Sequence, residues 1–447
     1  MPRRIPKLSQ ILRWLNTDLF RRLTKNVGVL YSGTAAASVL GLVSLPLSVN
    51  LLGAELFGYF VLIQWYQRMF DSLVNFQSWQ VVIKYGAEAK EQGDSERLKR
   101  YVKAGFIIDS VSAFAGALLA LLLADFVGGL LGWDQLTINL ARIYSAGIVV
   151  RLSGTSEGLL RLFGRFNLFA IQSVLGSALK LVGILGLWIF NVRGSLLAYV
   201  LVILVSETLR HVFLVIVAVL YLRREGYKGW TRVSVRRTGH FLRFAFWTNI
   251  QRTVHIPIQE FDKILVSQII SVEAVAVYQV FKQFGTVLSK VTTPIYQTVF
   301  PELSTMIAQG NVRTAAKTTA KVSIIFMTLA AIPVLLVGGT SFWWLELFFG
   351  EIFAAYWIVF IAYLLIRTAA SAASPIDPLF ISLGYVRTKF LISLGVSVVY
   401  VAAGWLLCTY FDLAGMVAAY GLQHVLIYGL MVFVMATRGE LKDRPAT

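Results

Sequence analysis

The chain has 447 residues, of which 57% are hydrophobic and only 14% are charged, whereas soluble domains carry roughly 25% charged residues. Apolar runs of about 20 residues recur along its whole length, which predicts an all-α polytopic membrane protein and excludes the soluble globular class. The net charge of +18 could indicate nucleic acid as a partner, but its distribution along the chain indicates membrane topology instead.

The first 26 residues precede the first apolar run. Leucine and isoleucine recur there at helical spacing with arginines between them, which predicts an amphipathic segment lying in the membrane interface over 1–26. A frayed basic tail is the alternative. The apolar positions are Ile5, Leu8, Leu12, Leu15, Leu19 and Leu23.

About twelve membrane spans follow, and the connections between them alternate in charge. Lysine and arginine dominate every second connection, whereas the other connections carry acidic residues, with Arg193 as their lone cation. This pattern places both termini in the cytoplasm. The predicted spans are 27–51, 56–80, 104–124, 137–160, 167–190, 195–221, 240–267, 274–300, 319–340, 352–382, 390–410 and 413–436.

The two halves of the chain resemble each other. Glu55 and Glu273 begin corresponding helices 218 residues apart, and the motif Gln92-Gly93-Asp94 recurs as Gln309-Gly310-Asn311. Six helices return the chain to its starting side, so the repeats are parallel. The predicted organisation is an N-lobe over 27–221, a basic cytoplasmic linker over 222–239, a C-lobe over 240–436 and a tail over 437–447.

Polar stripes run along one face of the second and eighth spans, again 218 residues apart. A charge near the bilayer centre costs at least ~2.5 kcal/mol, so these faces are expected to line a polar cavity. Alternatively, Arg68 and Asp71 neutralise one another. The stripes are Gln64, Arg68, Asp71, Asn75 and Ser78, and Lys282, Thr286, Ser289, Thr293 and Tyr296.

The seventh span is the most polar. Arg252, His255, Gln259 and Asp262 share a helical face, and we expect them to line the same cavity. The neighbouring Lys263 could do so as well, or it could pair with Glu260 and Asp262 near the external interface. In the eighth span, Lys290 lies too deep to reach the interface and Gln283 lies beside Lys282.

Cations outnumber anions on these three helices. Such a pocket suits a multiply anionic head group, because arginine makes bidentate contacts with phosphate and lysine supplies a point charge. Asp109, Glu157 and Asp377 are buried acids that could carry protons. Glu207, Arg210 and His211 are expected to satisfy one another within the sixth span. Neither the sequence signatures of common catalytic sites nor a Cys/His metal cluster occurs, so neither an enzyme nor a cofactor is predicted.

Three stretches resemble the polysaccharide transporters of the multidrug/oligosaccharidyl-lipid/polysaccharide (MOP) flippase superfamily, the O-antigen and exopolysaccharide flippases. They are Leu52-Gly53-Ala54-Glu55-Leu56-Phe57-Gly58-Tyr59, Phe261-Asp262-Lys263-Ile264-Leu265-Val266, and Gly158-Leu159-Leu160-Arg161 with Arg165-Phe166. The resemblance implies alternating access around a cavity lined by helices one, two, seven and eight. In the first helix that lining offers only Tyr31, Thr34 and Ser38.

The resemblance further implies that an undecaprenyl-diphosphate-linked oligosaccharide is moved across a bacterial cytoplasmic (inner) membrane, with polysaccharide polymerase machinery and membrane lipids as partners. We predict that Arg68, Arg252, Lys282 and Lys290 hold the diphosphate, while Tyr31, Gln64, Asn75, Gln283 and Tyr296 contact sugars. Two alternatives stay open: a multidrug or cation antiporter of the same superfamily, which would depend on Asp71, Asp262 or Asp377, and a membrane-embedded glycosyl or acyl transferase.

Overall fold

A computed structural model describes residues 18–74, 76, 78–235 and 260–438 of the chain. Within these ranges the protein consists of helices joined by turns, without β-strands. This confirms the predicted all-α class. The predicted interfacial segment 1–26 lies mostly outside the described residues, but its last part is already helical, since the first helix begins at Asp18 and continues through the membrane-spanning run to Leu52.

The first half of the chain contains eight helices in its described part, several of them shorter than a span. A 3-10 turn over Gly147–Val150 separates the fifth helix from the sixth. The helices are α1 (Asp18–Leu52), α2 (Ala54–Val74), α3 (Ser78–Glu91), α4 (Ser95–Leu130), α5 (Gln135–Ala146), α6 (Ser153–Leu162), α7 (Phe166–Ile189) and α8 (Leu196–Arg224).

The second half of the chain likewise combines long helices with short ones. The described helices are α9 (Asp262–Ile269), α10 (Val272–Ala308), α11 (Val312–Gly339), α12 (Ser341–Phe349), α13 (Glu351–Ala354), α14 (Trp357–Ala373), α15 (Ile376–Ser382) and α16 (Val386–Thr437). The long α16 is two helices joined at a kink, because Asp412 has a φ of 54° that no α-helix accommodates.

Seven stretches of the described chain are long and apolar enough to cross a membrane, judged by length and composition. They are Tyr31–Leu52 within α1, the helices α4, α7, α8 and α11, and the ranges Trp357–Ser382 and Val386–Thr437. Three predicted spans differ from the continuous helices expected. The span 352–382 is divided among α13, α14 and α15. The span 56–80 is divided between α2 and α3, and the span 137–160 is divided at the 3-10 turn. The predicted number of twelve spans and the cytoplasmic termini stay predictions.

The chain divides into two compact units, each held together by its own internal contacts. Unit 1 comprises Met1–Ser44, Tyr66–Val192 and Leu197–Thr253, and unit 2 comprises Leu45–Trp65, Arg193–Leu196 and Val254–Thr447. The end of α1 and the start of α2 thus pack within unit 2. The lobes 27–221 and 240–436 stay a prediction.

Side chains at helix starts explain several boundaries. The carboxylates of Asp94 and Asp134 accept hydrogen bonds from the backbone N–H groups of Arg97 and Thr137, and the Ser271 hydroxyl accepts from Ala274 N. The first N–H groups of a helix have no partner within it, so such caps stabilise the helix start by about 1 kcal/mol each. The cap at Ser271 positions α10, which carries much of the candidate site.

Candidate functional site

A polar cavity of about 350 Å³ lies inside unit 2. Residues of α9, α10, α14 and α16 surround it, so the cavity combines two consecutive helices with two that lie much further along the chain. Its lining combines cations, carboxylates and tyrosines. The lining residues are Glu260, Asp262, Lys282, Thr286, Tyr363, Arg367, Tyr400, Tyr420, Gln423, His424 and Ile427.

Asp262 is the buried anion of this cavity and is only 2% exposed. Its carboxylate accepts from Lys282 Nζ at 2.8 and 3.1 Å and from the Tyr278 hydroxyl at 2.9 Å. The backbone N–H of Lys263 contributes a further bond of 2.8 Å. A buried carboxylate is tolerated only when it is paired and hydrogen-bonded. The four bonds therefore hold Asp262 and Lys282 together as one neutral unit.

Arg367 of α14 is the second cation of the cavity, and its partners are hydroxyl groups. Its Nε donates to Ser289 Oγ at 3.0 Å, and another guanidinium nitrogen donates to the Tyr420 hydroxyl. No carboxylate within the described ranges forms an ion pair with it. A guanidinium held by neutral oxygens keeps its full positive charge, so it can bind an anionic ligand directly.

Aromatic rings form one wall of the cavity. The rings of Tyr363 and Tyr420 stack with centroids 5.5 Å apart, and the ring of His424 lies 4.4 Å from that of Tyr420. Tyr278 meets Tyr363 edge to face. Such rings offer apolar faces beside hydroxyl groups. The wall thus suits a ligand that has both polar and apolar surfaces.

Unit 1 contains a separate ionic cluster around Arg151, which follows the 3-10 turn. The guanidinium contacts Asp71 at 3.1 Å, Glu207 at 2.7 Å and Gln67 Oε1 at 2.9 Å. Three further cations interact electrostatically with Glu207 or its surroundings: Arg68, Lys180 and Arg210. Glu157 also interacts electrostatically with Arg210. The four cations therefore face three carboxylates, so basic residues outnumber acidic ones in this part of unit 1.

Asp109 occupies a different buried position in unit 1. Its carboxylate accepts from the backbone N–H of Thr155 at 2.7 Å, in the first turn of α6. A Cβ added at Gly154 would overlap Ser78 Oγ and crowd Asp109. The side chain thus supplies an acceptor for a backbone N–H group that has no partner within the helix. In the structure Asp109 therefore holds the start of α6, and its suggested proton-carrying role stays a prediction.

The structure brings some predicted site residues together and separates others. Asp262, Lys282 and Thr286 line the cavity of unit 2, and Ser289 contacts Arg367. Lys263 is 2% exposed and pairs with Glu260.

Other predicted residues lie outside the cavity lining. Half-buried positions of this kind are Gln283 and Lys290 on α10, Gln64 on α2, and Tyr31 and Thr34 on α1. Asp377 pairs with Lys389 at 2.8 Å, and Glu157 with Arg161 at 3.5 Å.

Several predicted residues fall outside the described part of the protein. These are Asn75, Arg252, His255 and Gln259, together with the side chains of Thr293 and Tyr296. Their assignment, like that of every predicted site residue, stays a prediction.

One pairing that the sequence left open as an alternative, and one that it predicted, differ in the structure. Asp71 pairs with Arg151 instead of Arg68, because the break after Val150 brings Arg151 to the face of α2 that carries Asp71. Glu207 likewise pairs with Arg151, whereas Arg210 contacts the His211 ring at 3.2 Å. The self-contained cluster expected in the sixth span is therefore wrong for Glu207.

Sequence reasoning did not assign Arg367 or the tyrosines of the cavity wall to a site. The signal for Arg367 was its charge within an apolar run. No spacing pointed to Tyr420, which lies 53 positions further along the chain.

Comparison with known proteins identifies a matching family and a related protein. Residues 23–307 match the model of a family described as polysaccharide biosynthesis protein. Over 181 residues the chain is 29% identical to the inner membrane protein YghQ of Escherichia coli (strain K12), a match that spans 40% of this chain and 51% of that protein. The chain thus covers about half the length of this relative.

Solved structures with the same fold are transporters. An inward-facing multidrug resistance MATE family transporter of the MOP superfamily matches with a TM-score of 0.71 at 14% identity, covering 93% of this chain and 96% of that one. The lipid II flippase MurJ, in an inward closed conformation, matches with a TM-score of 0.69 at 14% identity, covering 93% and 89%. A MOP superfamily transporter from Pyrococcus furiosus gives a TM-score of 0.64, also at 14% identity, covering 94% and 96%.

The family model covers well over half of the chain, and the structural matches cover nearly all of it. This multi-pass membrane protein therefore belongs to the polysaccharide biosynthesis protein family and has the fold of the MOP superfamily transporters.

Proposed function

We propose that this protein is a flippase that moves an undecaprenyl-diphosphate-linked oligosaccharide from the cytoplasmic to the outer leaflet of a bacterial inner membrane. The observation that carries the proposal is Arg367, whose guanidinium lines a cavity within the membrane-spanning helices and donates to hydroxyl groups. Arginine binds phosphate through paired N–H donors. Family membership and a transporter fold support the same function.

Lys282 supplies the second positive charge for the diphosphate. In the structure it is held by Asp262. A diphosphate carries more negative charge than one carboxylate, so we expect the ammonium group to contact phosphate when substrate enters. Asp262 then keeps its bond from the Tyr278 hydroxyl. Asp262 would thus act as an internal counter-ion that stabilises Lys282 between transport cycles.

The aromatic wall is the proposed contact for the sugars next to the diphosphate. Tyr363 and Tyr420 present ring faces, and Gln423 adds an amide to the same cavity. Sugar rings have apolar faces and hydroxyl edges, which match this combination. The predicted diphosphate contacts Arg68, Arg252 and Lys290 remain part of the proposal, as does a polysaccharide polymerase partner.

The first prediction concerns Arg367. Loss of a hydrogen bond to a charged group costs about 1.5–3 kcal/mol, so Arg367→Ala should slow flipping roughly ten- to a hundredfold, and Arg367→Lys should slow it less. The measurement uses purified protein in proteoliposomes that contain a short-chain polyprenyl-diphosphate oligosaccharide. A lectin added outside reports the sugar that reaches the outer leaflet.

Lys389→Ala is the matched control, because Lys389 pairs with Asp377 outside the cavity lining, and it should flip at the wild-type rate. Wild-type flipping by Arg367→Ala would refute the site. Export of organic cations that depends on Asp262, without oligosaccharide flipping, would instead establish the antiporter. Formation of a glycosylated or acylated product in detergent would establish the transferase.

A further inference from the structure

A second, apolar cavity lies in unit 2 between α11, α14, α15 and α16. Its volume is about 570 Å³, within the roughly 300–1,000 Å³ that is typical of small-molecule sites. Small side chains create the space: Ala316 and Ala320 on α11, and Ala369 and Ala372 on α14. None of its lining residues belongs to the polar cavity around Arg367.

The cavity lies beside a surface that is suited to lipid. Ile324, which lines it, is 66% exposed, and Leu329 on the same helix is also 66% exposed. On α16, the lining residue Val432 is 41% exposed and its neighbour Phe433 is 63% exposed. In a membrane-spanning protein, exposed apolar side chains of this kind contact hydrocarbon. A ligand can therefore enter this cavity from the bilayer.

Positive charge lies at one end of the cavity. Ala316 and Met435 both line it and both pack in one core cluster. Arg313 precedes Ala316 by three residues on α11, and Arg438 follows Met435 by three residues at the end of α16. Three residues correspond to a distance of about 4.5 Å along a helix axis. Both arginines are exposed, and the Arg438 guanidinium lies 5.0 Å over the Tyr385 ring.

An apolar chamber with two guanidiniums at one end matches an amphiphile with one negatively charged end. We propose that this cavity binds an acyl chain of an anionic phospholipid, whose headgroup phosphate contacts Arg313 and Arg438. The basic end belongs to the connections that the charge pattern places in the cytoplasm, so the lipid comes from the cytoplasmic leaflet. The proposal does not depend on which substrate the protein transports.

The experiment places the full-length protein in phosphatidylcholine nanodiscs that contain phosphatidylglycerol with a photoreactive diazirine in its acyl chain. After illumination, mass spectrometry maps the labelled peptides. We expect labelling of α11 and α14. Unlabelled phosphatidylglycerol should suppress this labelling at a concentration at least fivefold lower than the concentration of unlabelled phosphatidylcholine that has the same effect. Ala320→Phe fills the cavity from an exposed position and should lower the labelling at least fivefold.

Two matched controls test the two parts of the site. Ala402 is exposed on α16 but does not line the cavity, so Ala402→Phe should leave labelling unchanged. The double variant Arg313→Gln/Arg438→Gln should remove the preference for phosphatidylglycerol, whereas Arg223→Gln/Arg224→Gln, at the exposed end of α8, should keep it. Equal competition by both phospholipids, or full labelling of Ala320→Phe, would overturn the proposal. Stronger competition by a polyprenyl phosphate than by phosphatidylglycerol would also overturn it, by assigning the cavity to a polyprenyl tail.

Discussion

At the scale of single residues, Asp262 and Lys282 depend on each other. Asp262 is almost fully buried, and its carboxylate meets the Lys282 ammonium group, the Tyr278 hydroxyl and the Lys263 backbone N–H. Either charge alone would remain in a low-dielectric site without its counter-ion. Breaking a buried pair by removing one member typically costs 3–5 kcal/mol, whereas replacing both members costs far less.

Asp262→Asn should therefore lower the stability of the purified protein by about 3–5 kcal/mol, and the double variant Asp262→Asn/Lys282→Met should recover much of the loss. Thermal unfolding in detergent, analysed as a double-mutant cycle, measures the coupling. The matched control is the pair Asp377 and Lys389, whose side chains are 23% and 28% exposed. We expect that pair to contribute less, because both of its side chains are more exposed than that of Asp262. Equal coupling in both pairs would contradict the dependence inferred for Asp262.

At the scale of helices, close approaches between segments decide which faces meet. In unit 2 the start of α2 contacts the start of α10 at Gly58. A Cβ added there would overlap the carbonyl oxygen and the side chain of Val272. This contact connects the two corresponding helix starts at Glu55 and Glu273, which the repeat relates. Only glycine permits the backbones to lie this close.

Gly58→Ala should destabilise the protein by about 1–3 kcal/mol, because the added methyl group forces the two backbones apart. Gly186→Ala is the control, since a Cβ at that helical position in α7 meets no atom within 4 Å. There, the better helix propensity of alanine should leave stability unchanged or raise it by up to about 1 kcal/mol. Thermal unfolding of the two variants side by side tests the contact. If Gly58→Ala is as stable as Gly186→Ala, the close contact at Gly58 is excluded.

At the scale of the whole molecule, the alternation of basic connections predicts the orientation in the membrane. The helix α4 has 36 residues, which gives about 54 Å of length at 1.5 Å per residue, more than the roughly 30 Å of a hydrocarbon core. Gln92 and Gln135 are exposed positions that flank this helix. They are therefore expected on opposite sides of the membrane, with Gln92 in the cytoplasm.

Cysteine labelling tests this orientation. The native Cys408 is buried and can be replaced by alanine to give a cysteine-free background. A membrane-impermeant maleimide added to intact cells with a permeabilised outer membrane should label Gln135→Cys and spare Gln92→Cys. Inverted membrane vesicles should give the reverse result. Labelling of Gln92→Cys from outside would reverse the predicted topology.

Much of the fold and part of the candidate site could be predicted because they depend on local patterns. Helical periodicity put Lys282, Thr286 and Ser289 on one face of α10, and the structure places all three in or next to the polar cavity. The sequence did not predict that Arg367 and Tyr420 belong to this site, because they lie on different helices and their contact follows no spacing in the sequence.

By itself, the sequence determined the membrane-spanning helical class, the resemblance between its halves and the polar faces of particular helices. These properties depend on hydropathy and on residues three or four positions apart, which are neighbours in any α-helix. Only the tertiary structure decided that Asp71 pairs with Arg151 and that Asp262 pairs with Lys282. Such partners depend on where helices break and how each is rotated against its neighbours, which is the combined outcome of packing along their whole length.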